Sequence, residues 1–239
     1  MNIALVGYGK MGHMVKSAAE NLGHTVAFVC NSGADVERAV RDNEFVTQKI
    51  DGIIEFTRLK SALKNLETLL PLGVPIVCGT TGWDAHQNEI AEYAKKCGGV
   101  VLKSSNFSLG VNLFYKIIEQ AAFLLADYDE EYDAAIWEVH HNQKKDAPSG
   151  TALEIARRIQ KAGKYSNVNV AASRVGRVPG THSVIFDSEA DTIELTHTAR
   201  SRSGFAQGSV RALEKLVNAV NSGALRKGAM YSMEDVLFG

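Results

Sequence analysis

Asn2-Ile-Ala-Leu-Val6, followed at once by Gly7-Tyr-Gly9-Lys-Met-Gly12, decides how the rest of this chain is read. The first five residues form a short apolar run, the mark of a buried strand. Met14 to Leu22 then reads as a helix. The glycines therefore stand as Gly-x-Gly-x-x-Gly between a strand and a helix, the setting that gives this pattern meaning. The first glycine permits the tight turn, the second lets backbone approach a pyrophosphate, and the third lets helix and strand pack closely. Alone the pattern is weak; after a strand beginning at residue 2 it is strong. It makes Gly7, Tyr8, Gly9, Lys10, Met11 and Gly12 candidate contacts for a dinucleotide.

The residues that follow repeat the alternation. Thr25–Cys30 is a second expected strand. In a dinucleotide fold its end meets the adenosine ribose, where an acid favours the 2′-hydroxyl of NAD and basic residues accommodate the 2′-phosphate of NADP. The chain has Asn31 and Ser32 there, with Asp35 a little later. No acid stands at the strand end itself. Asn31 and Ser32 could donate to a phosphate and Lys10 could add charge, which points to NADPH being accepted at least as well as NADH. Read blandly, the segment is a plain turn and Lys10 a surface lysine. Further strands are expected at Ile50–Phe56, Pro75–Cys78 and Gly99–Leu102, with helices at Leu59–Leu70 and Asp84–Lys96. Such β-α alternation implies a Rossmann-type, doubly wound parallel sheet of the α/β class. Ligands of such sheets lie at the carboxyl ends of strands. That places Glu55-Phe-Thr57, Gly79-Thr80-Thr81-Gly82 and Ser104-Ser105-Asn106-Phe107 around the same crevice as the glycine loop, unless each is only a connecting turn.

Composition excludes several classes. The 239 residues are 45% hydrophobic and 22% charged, ordinary for a soluble globular protein. A formal net charge of -1 offers no global field for nucleic acid or a membrane surface. Cys30, Cys78 and Cys97 form no Cys-x-x-Cys pair, which argues against a zinc site or a disulfide framework. The opening apolar run is too short for a secretory signal, and no stretch suits a bilayer span. The expectation is a cytoplasmic enzyme or binding protein with no metal, its anionic ligand caught by local charge.

Local charge is concentrated in Glu138-Val-His-His-Asn-Gln-Lys-Lys-Asp-Ala-Pro-Ser-Gly-Thr-Ala152. Asp133–Val139 is rich in strand formers, and Thr151–Ile159 has apolar residues at helical spacing. The loop between them closes on Pro148-Ser149-Gly150-Thr151 at the helix start. A helix start presents unpaired N–H groups and the positive end of the dipole, a ready site for a carboxylate or phosphate. The lysines add positive charge, and imidazoles can move protons near neutral pH. Taken singly, Ser-Gly-Thr is by default a cap, paired lysines a solvated face and a lone histidine structural. Their conjunction on one strand-loop-helix is what points to chemistry.

Around that unit, Leu109–Leu125 reads as a long helix. Strand-like runs at Asn167–Val175, His182–Phe186 and Thr192–Thr198 imply a smaller α+β domain with a mixed or antiparallel open sheet. Phe205–Val220 reads as a helix returning to the first domain. The expected division is 1–106 with 206–239 for the dinucleotide, and 107–205 for substrate and tetramerisation.

Glu-x-His-His-x-x-Lys-x-Asp-Ala-Pro-Ser-Gly-Thr-Ala resembles the signature of the dihydrodipicolinate reductase family, met here from Glu138 to Ala152. Gly79-Thr-Thr-Gly82 and Asn106-Phe-Ser-Leu-Gly-Val-Asn112 resemble the family's segments at the nicotinamide side. Gly180–Phe186, His197–Phe205 and Ser232–Phe238 resemble its sheet, return hinge and closing segment. The likeness spans nearly the whole chain. Glu55 and Thr57 depart from a common Asp-Phe-Ser, Ser104-Ser105 from Ala-Pro or Ala-Ala, and the region before Arg174 is shorter than in many members, so the details of the second sheet differ. The resemblance implies hydride transfer from NADPH or NADH to a cyclic, unsaturated dicarboxylate of the lysine and diaminopimelate pathway. It implies His140 as proton donor or acceptor and Lys144 as its cationic partner and second proton source, with His141, Ser149, Gly150 and Thr151 holding the carboxylates. It also implies a homotetramer, and closure about hinges near Asn106 and Ser203. Three other readings stand beside it. The first half alone would fit another nicotinamide dehydrogenase. A nucleotide-sensing regulator would bind without turnover. A metal hydrolase built on His140 and His141 is disfavoured, because neighbours on a strand point to opposite faces and no third ligand has matching spacing.

Overall fold

The computed structural model describes residues 1–128, 131–163, 165–201 and 203–239. It divides into two compact units, 1–108 with 203–239, and 109–202.

In the first unit, strands β1 (Asn2–Val6), β2 (Thr25–Cys30), β3 (Gly52–Glu55), β4 (Ile76–Cys78) and β5 (Val100–Lys103) are joined by α1 (Lys10–Asn21), α2 (Gly33–Arg41), α3 (Glu44–Thr47), α4 (Leu59–Leu69) and α5 (Gln87–Cys97). The sheet is parallel throughout and runs β10-β5-β4-β3-β1-β2, with β10 (Ala229–Tyr231) at its edge. Alternation along the strands sorts their side chains into two cores. Ile3, Leu5, Ile54, Val77 and Leu102 face one, shared with α1, α8 (Ser203–Asn221) and α9 (Met233–Phe238). Ala4, Val6, Ile53, Ile76 and Val101 face the other, shared with α2, α4 and α5. Helices thus cover both faces, which is why the strands read as continuous apolar runs.

Strand order reverses at β1, which pairs with β2 on one side and β3 on the other. A crevice opens at such a switch point, beyond the carboxyl ends of the strands. The glycine loop after β1 and Phe56-Thr57 after β3 both lie there, the Phe56 N–H donating to the Val6 carbonyl at 2.8 Å.

The second unit is built on a four-stranded mixed sheet ordered β7-β6-β8-β9. It contains α6 (Leu109–Leu124), β6 (Asp133–His140), α7 (Gly150–Ala162), β7 (Asn169–Arg174), β8 (Thr181–Asp187) and β9 (Thr192–Thr198). β7 is parallel to β6 because α7 carries the chain across; β8 and β9 are antiparallel. Ala134, Ile136, Val184 and Phe186 pack against Phe114, Ile118, Ile155 and Ile159 of α6 and α7. On the other face of β6, Trp137 is 49% exposed.

Two expectations need correction, and one strand is not among those expected. α1 begins at Lys10, not Met14; the glycines hid its first turn, since Gly12 is buried inside the helix rather than ahead of it. The helix after Gly82 starts as a 3-10 turn, Asp84–His86, before α5. β10, too short for a local signal, is a strand only because β5 offers it an edge. Arg202, within the segment likened to the return hinge, lies outside the described residues.

Candidate active site

The dinucleotide side rests on glycines the packing requires. Gly7 has φ +93°, and a Cβ there would overlap the Phe56 carbonyl oxygen. A Cβ on Gly12 would overlap the carbonyl oxygen of Gly7. Gly9, by contrast, is exposed with open space at its Cβ position, and as N-cap of α1 it offers no side chain to the helix's first amides. Amides at a helix start, at the positive end of its dipole, suit an anion. The cradle fits a dinucleotide pyrophosphate. Lys10 is exposed beside it, Met11 half-buried, and the Tyr8 ring lies 3.9 Å from that of His13.

At the end of β2 the structure corrects the sequence reading. The carboxylate of Asp35 folds back to accept the backbone N–H groups of Asn31 and Ser32, both at 3.0 Å, and the Ser32 hydroxyl. Ser32 caps α2 in a capping box with Asp35. An acid therefore does stand at the strand end, and those two amides are already taken. The Ser32 hydrogen bond, followed by the backbone ones and Arg38, holds the Asp35 carboxyl below its ordinary range.

Farther along the sheet edge the sequence-chosen residues divide. Thr80 turns inward, donating its hydroxyl to the buried Glu55 carboxylate at 2.7 Å and accepting the Thr57 N–H at 2.8 Å. Glu55 also accepts from the Thr57 hydroxyl and from Cys78 Sγ. Burial and the Glu55 charge push the Cys78 thiol well up, so it is a neutral core group. Trp83, fully buried, donates Nε1–H to the Thr80 carbonyl at 2.7 Å and anchors the loop. Gly79 leaves room for the Phe56 ring, and Thr81 is exposed. Ser104 and Asn106 close a tight turn on each other, Ser105 is exposed, and Phe107 is a core residue packed edge-to-face on Phe56. Of this group Thr81 and Ser105 have the exposure a ligand contact needs; Thr80 and Phe107 support the loops from beneath.

In the second unit, strand alternation puts Glu138 and His140 on the buried face of β6, and β8 sets His182 opposite Glu138. Glu138 is fully buried. Its Oε1 accepts the Ser149 N–H at 3.0 Å and an Arg174 N–H at 2.8 Å. Its Oε2 lies 3.4 Å from both His140 Nδ1 and His182 Nε2. Burial pushes the Glu138 carboxyl up, but the Ser149 and Arg174 hydrogen bonds outweigh it and leave it below its ordinary value. Burial holds His140 below the usual imidazole range; burial and the neighbouring His140 lower His182 to about 4. The centre thus holds an ionised carboxylate between neutral rings.

Ser149 is the N-cap of α7, buried, its Oγ accepting the Ala152 N–H at 3.1 Å and lying 3.2 Å from His182 Nε2. Its hydroxyl is therefore occupied. Gly150 and Thr151 follow the cap, Gly150 exposed and with its N–H given to the Asp146 carboxylate. The Thr151 side chain hydrogen-bonds Tyr115, whose hydroxyl burial pushes up to about 12. Lys144, one quarter exposed, pairs with Asp146 at 2.8 Å, while Lys145 is exposed and His141 half-buried outside the cluster.

Sequence reasoning passed over Glu138, Arg174 and His182 as site residues. Glu138 had a signal, the i, i+2 relation to His140 on a strand; the other two depend on strand pairing. Glu138, His140 and His182 also supply the third side chain that the metal reading lacked, their nearest donor atoms lying within 4.8 Å of one another. The Arg174 guanidinium on the same carboxylate and the Lys144 ammonium close to His140 supply the positive charge instead, so the arrangement is a hydrogen-bonded cluster.

Comparison with known proteins agrees over the whole chain. Residues 1–107 match the family model described as dihydrodipicolinate reductase, N-terminus, and residues 110–237 the model for its C-terminus. A 4-hydroxy-tetrahydrodipicolinate reductase of Christiangramia forsetii is 37% identical, covering 99% of this chain and 98% of its own. One of Archaeoglobus fulgidus is 36% identical, covering 99% and 100%. Among solved structures, dipicolinate-bound dihydrodipicolinate reductase from Paenisporosarcina sp. TG-14 superposes with a TM-score of 0.78 at 20% identity, covering 100% of this chain and 99% of its own. GenD2 from gentamicin A biosynthesis, in complex with NAD, shares the fold at a TM-score of 0.59 and 13% identity, covering 99% and 90%. With both family models in order along the chain and such identity over its full length, the chain belongs to the dihydrodipicolinate reductase family.

Proposed function

We propose that His140 and Lys144 manage the proton and the developing charge of a hydride transfer, while the amides at the start of α7 hold a carboxylate of the substrate. The family's activity is that of this chain: NAD(P)H-dependent reduction of 4-hydroxy-tetrahydrodipicolinate to tetrahydrodipicolinate in diaminopimelate and lysine biosynthesis. The observation that carries the residue assignment is the buried Glu138 carboxylate beside His140, next to a loop that ends at the start of α7, where the Asp146 carboxylate already accepts the Gly150 N–H.

The first unit holds the hydride donor and the second the acceptor. When bound, the reduced nicotinamide supplies the hydride. The cradle of Gly7, Tyr8, Gly9, Lys10, Met11 and Gly12 takes its pyrophosphate, with Asn31 at the adenosine end and Gly79, Thr81 and Ser105 toward the nicotinamide. Thr80, Ser104, Asn106 and Phe107 shape those loops. On the second unit Gly150 and Thr151 donate to a carboxylate and His141 borders it. Ser149 acts by capping α7 and fixing the loop. The dipicolinate bound to the Paenisporosarcina enzyme supports a planar dicarboxylate as the ligand class. Lys144 meets negative charge as it spreads through the ring, and His140, once it has taken a proton from solvent at Nε2, gives that proton to the reduced ring. We also propose a homotetramer joined through the open face of the second sheet, where Trp137 is exposed.

Lys144→Ala, compared with Lys145→Ala, tests the assignment. An interaction stronger in the transition state than in the ground state lowers kcat. Lys144→Ala should lower kcat by about 10²–10⁴-fold, the usual scale for a lost acid–base group, and leave cofactor affinity intact. Lys145→Ala should cost far less. Normal turnover by Lys144→Ala would sink the assignment.

A further inference from the structure

We propose that Glu138 is the positioning residue for His140: its carboxylate holds the imidazole as the Nδ1–H tautomer, so that Nε2 is the nitrogen that exchanges the proton. The proposal rests on His140 being the proton-handling group.

The argument starts with the two oxygens of Glu138. Oε1 is committed to the Ser149 N–H and Arg174. Oε2 and His140 Nδ1 are buried, and neither meets hydrogen-bond geometry with any other group among the described residues. They face each other at 3.4 Å, somewhat beyond an ordinary N–H···O contact. Catalytic hydrogen bonds are often long before substrate binds and tighten afterwards. An ionised carboxylate can only accept. A hydrogen bond between these atoms therefore requires the proton on Nδ1, which in a neutral ring leaves the lone pair on Nε2.

His182 is the rival for Oε2, also at 3.4 Å. Its Nε2 has another partner. Ser149 Oγ already accepts from the Ala152 N–H, so its own O–H can donate to His182 Nε2 at 3.2 Å. In the proposed network the Ser149 O–H goes to His182 rather than to the Glu138 carboxylate it also reaches, His182 Nε2 accepts instead of donating to Glu138, and Oε2 is left to His140. The far side of His140 is consistent with this. Its Nε2 faces Gly180, where a Cβ would sit only 2.9 Å away. A side chain at 180 would press on that nitrogen, and glycine leaves it room. The arrangement has the logic of a carboxylate that orients a catalytic imidazole and stabilises it when it becomes charged.

The experiment has two arms. In the first, the ¹⁵N shifts of His140 in the whole wild-type protein, assigned by comparison with His140→Gln, report the tautomer without reference to activity. Nδ1–H is expected; a predominant Nε2–H form overturns the proposal. In the second, Glu138→Gln keeps size and can still accept the Ser149 N–H, but loses the charge. It should lower kcat by about 10²-fold with KM and NADPH affinity changed less than about threefold. Retained kcat in a folded Glu138→Gln overturns the proposal, and should that variant not fold, the wild-type tautomer decides. Zinc bound stoichiometrically by the wild type and lost in His182→Ala would also overturn it. If His140→Gln itself turns over normally, the parent assignment fails; if it is dead while Glu138→Gln is active, only the positioning role fails.

Discussion

Asp35 shows how a single side chain revises a reading made from neighbours in sequence. Its carboxylate lies against the Asn31 and Ser32 amides, so a 2′-phosphate placed there meets a negative charge and finds its donors taken. Asp35→Asn should raise the ratio of kcat/KM for NADPH over NADH by at least about threefold, near 0.65 kcal/mol at 1.4 kcal/mol per decade. An unchanged ratio would mean that the ribose is read elsewhere. His182 makes the second prediction at this scale. Its folded pKa, about 4, lies below the ordinary 6.5. Between those values the unfolded chain binds the extra proton, so stability rises with pH across that window. The contribution is fully present above about pH 6.5 and is lost as pH falls toward 4. Thermal melts should therefore show a shallower acid limb for His182→Gln than for the wild type.

Among the elements, α7 and α9 pose the same local problem with different consequences. Ser149 accepts the Ala152 N–H, and Ser232 accepts the Asp235 N–H in a reciprocal capping box. Replacing a capping serine by alanine costs about 0.5–2 kcal/mol. Both Ser149→Ala and Ser232→Ala should lower the midpoint of denaturant unfolding. Only Ser149→Ala should also raise KM for the dicarboxylate, because its loop frames the substrate; equal kinetics for the two would leave Ser149 a cap and nothing more. Ser232-Met-Glu-Asp carries capping chemistry in the sequence but is read there only as a closing segment; the start of α7 was legible, since Ser-Gly-Thr carries the same chemistry. The start of α1 was not, because glycine weakens the helical pattern while the close approach of Gly12 to the Gly7 carbonyl decides where the helix begins.

At the scale of the whole molecule, the second sheet has α6 and α7 packed on one face, and among the described residues of its unit no helix packs on the other. Trp137 stands on it, with Nε1–H donating to Ser173 Oγ at 3.2 Å. A large exposed aromatic on an open sheet marks a surface that gains from burial. The homotetramer proposed above predicts that sedimentation will give four subunits for the wild type and a smaller species for Trp137→Glu, with the melting temperature falling in step. A monomeric wild type at micromolar concentration would refute it. Among the described residues no helix is long and apolar enough to cross a membrane.

Determined in the sequence alone were the parallel α/β sheet, the glycine cradle after β1, the strand-loop-helix carrying His140 and Lys144, and the family itself. Each rests on local pattern: apolar runs, glycines at fixed offsets, capping residues, and a motif contiguous along the chain. Tertiary structure decided what depends on partners distant in sequence. β8 brought His182 to Glu138, and β7 brought Arg174 to the same carboxylate, across separations that no local pattern encodes. Burial and the donors that converge on Glu138 then set the charge of that cluster, burial disfavouring the charged rings and the donors keeping the carboxylate ionised against it. The inward turn of Thr80, the core position of Phe107 and the return of Asp35 to the end of β2 follow the same rule: sequence showed which groups were near the crevice, and packing decided which way each one faces.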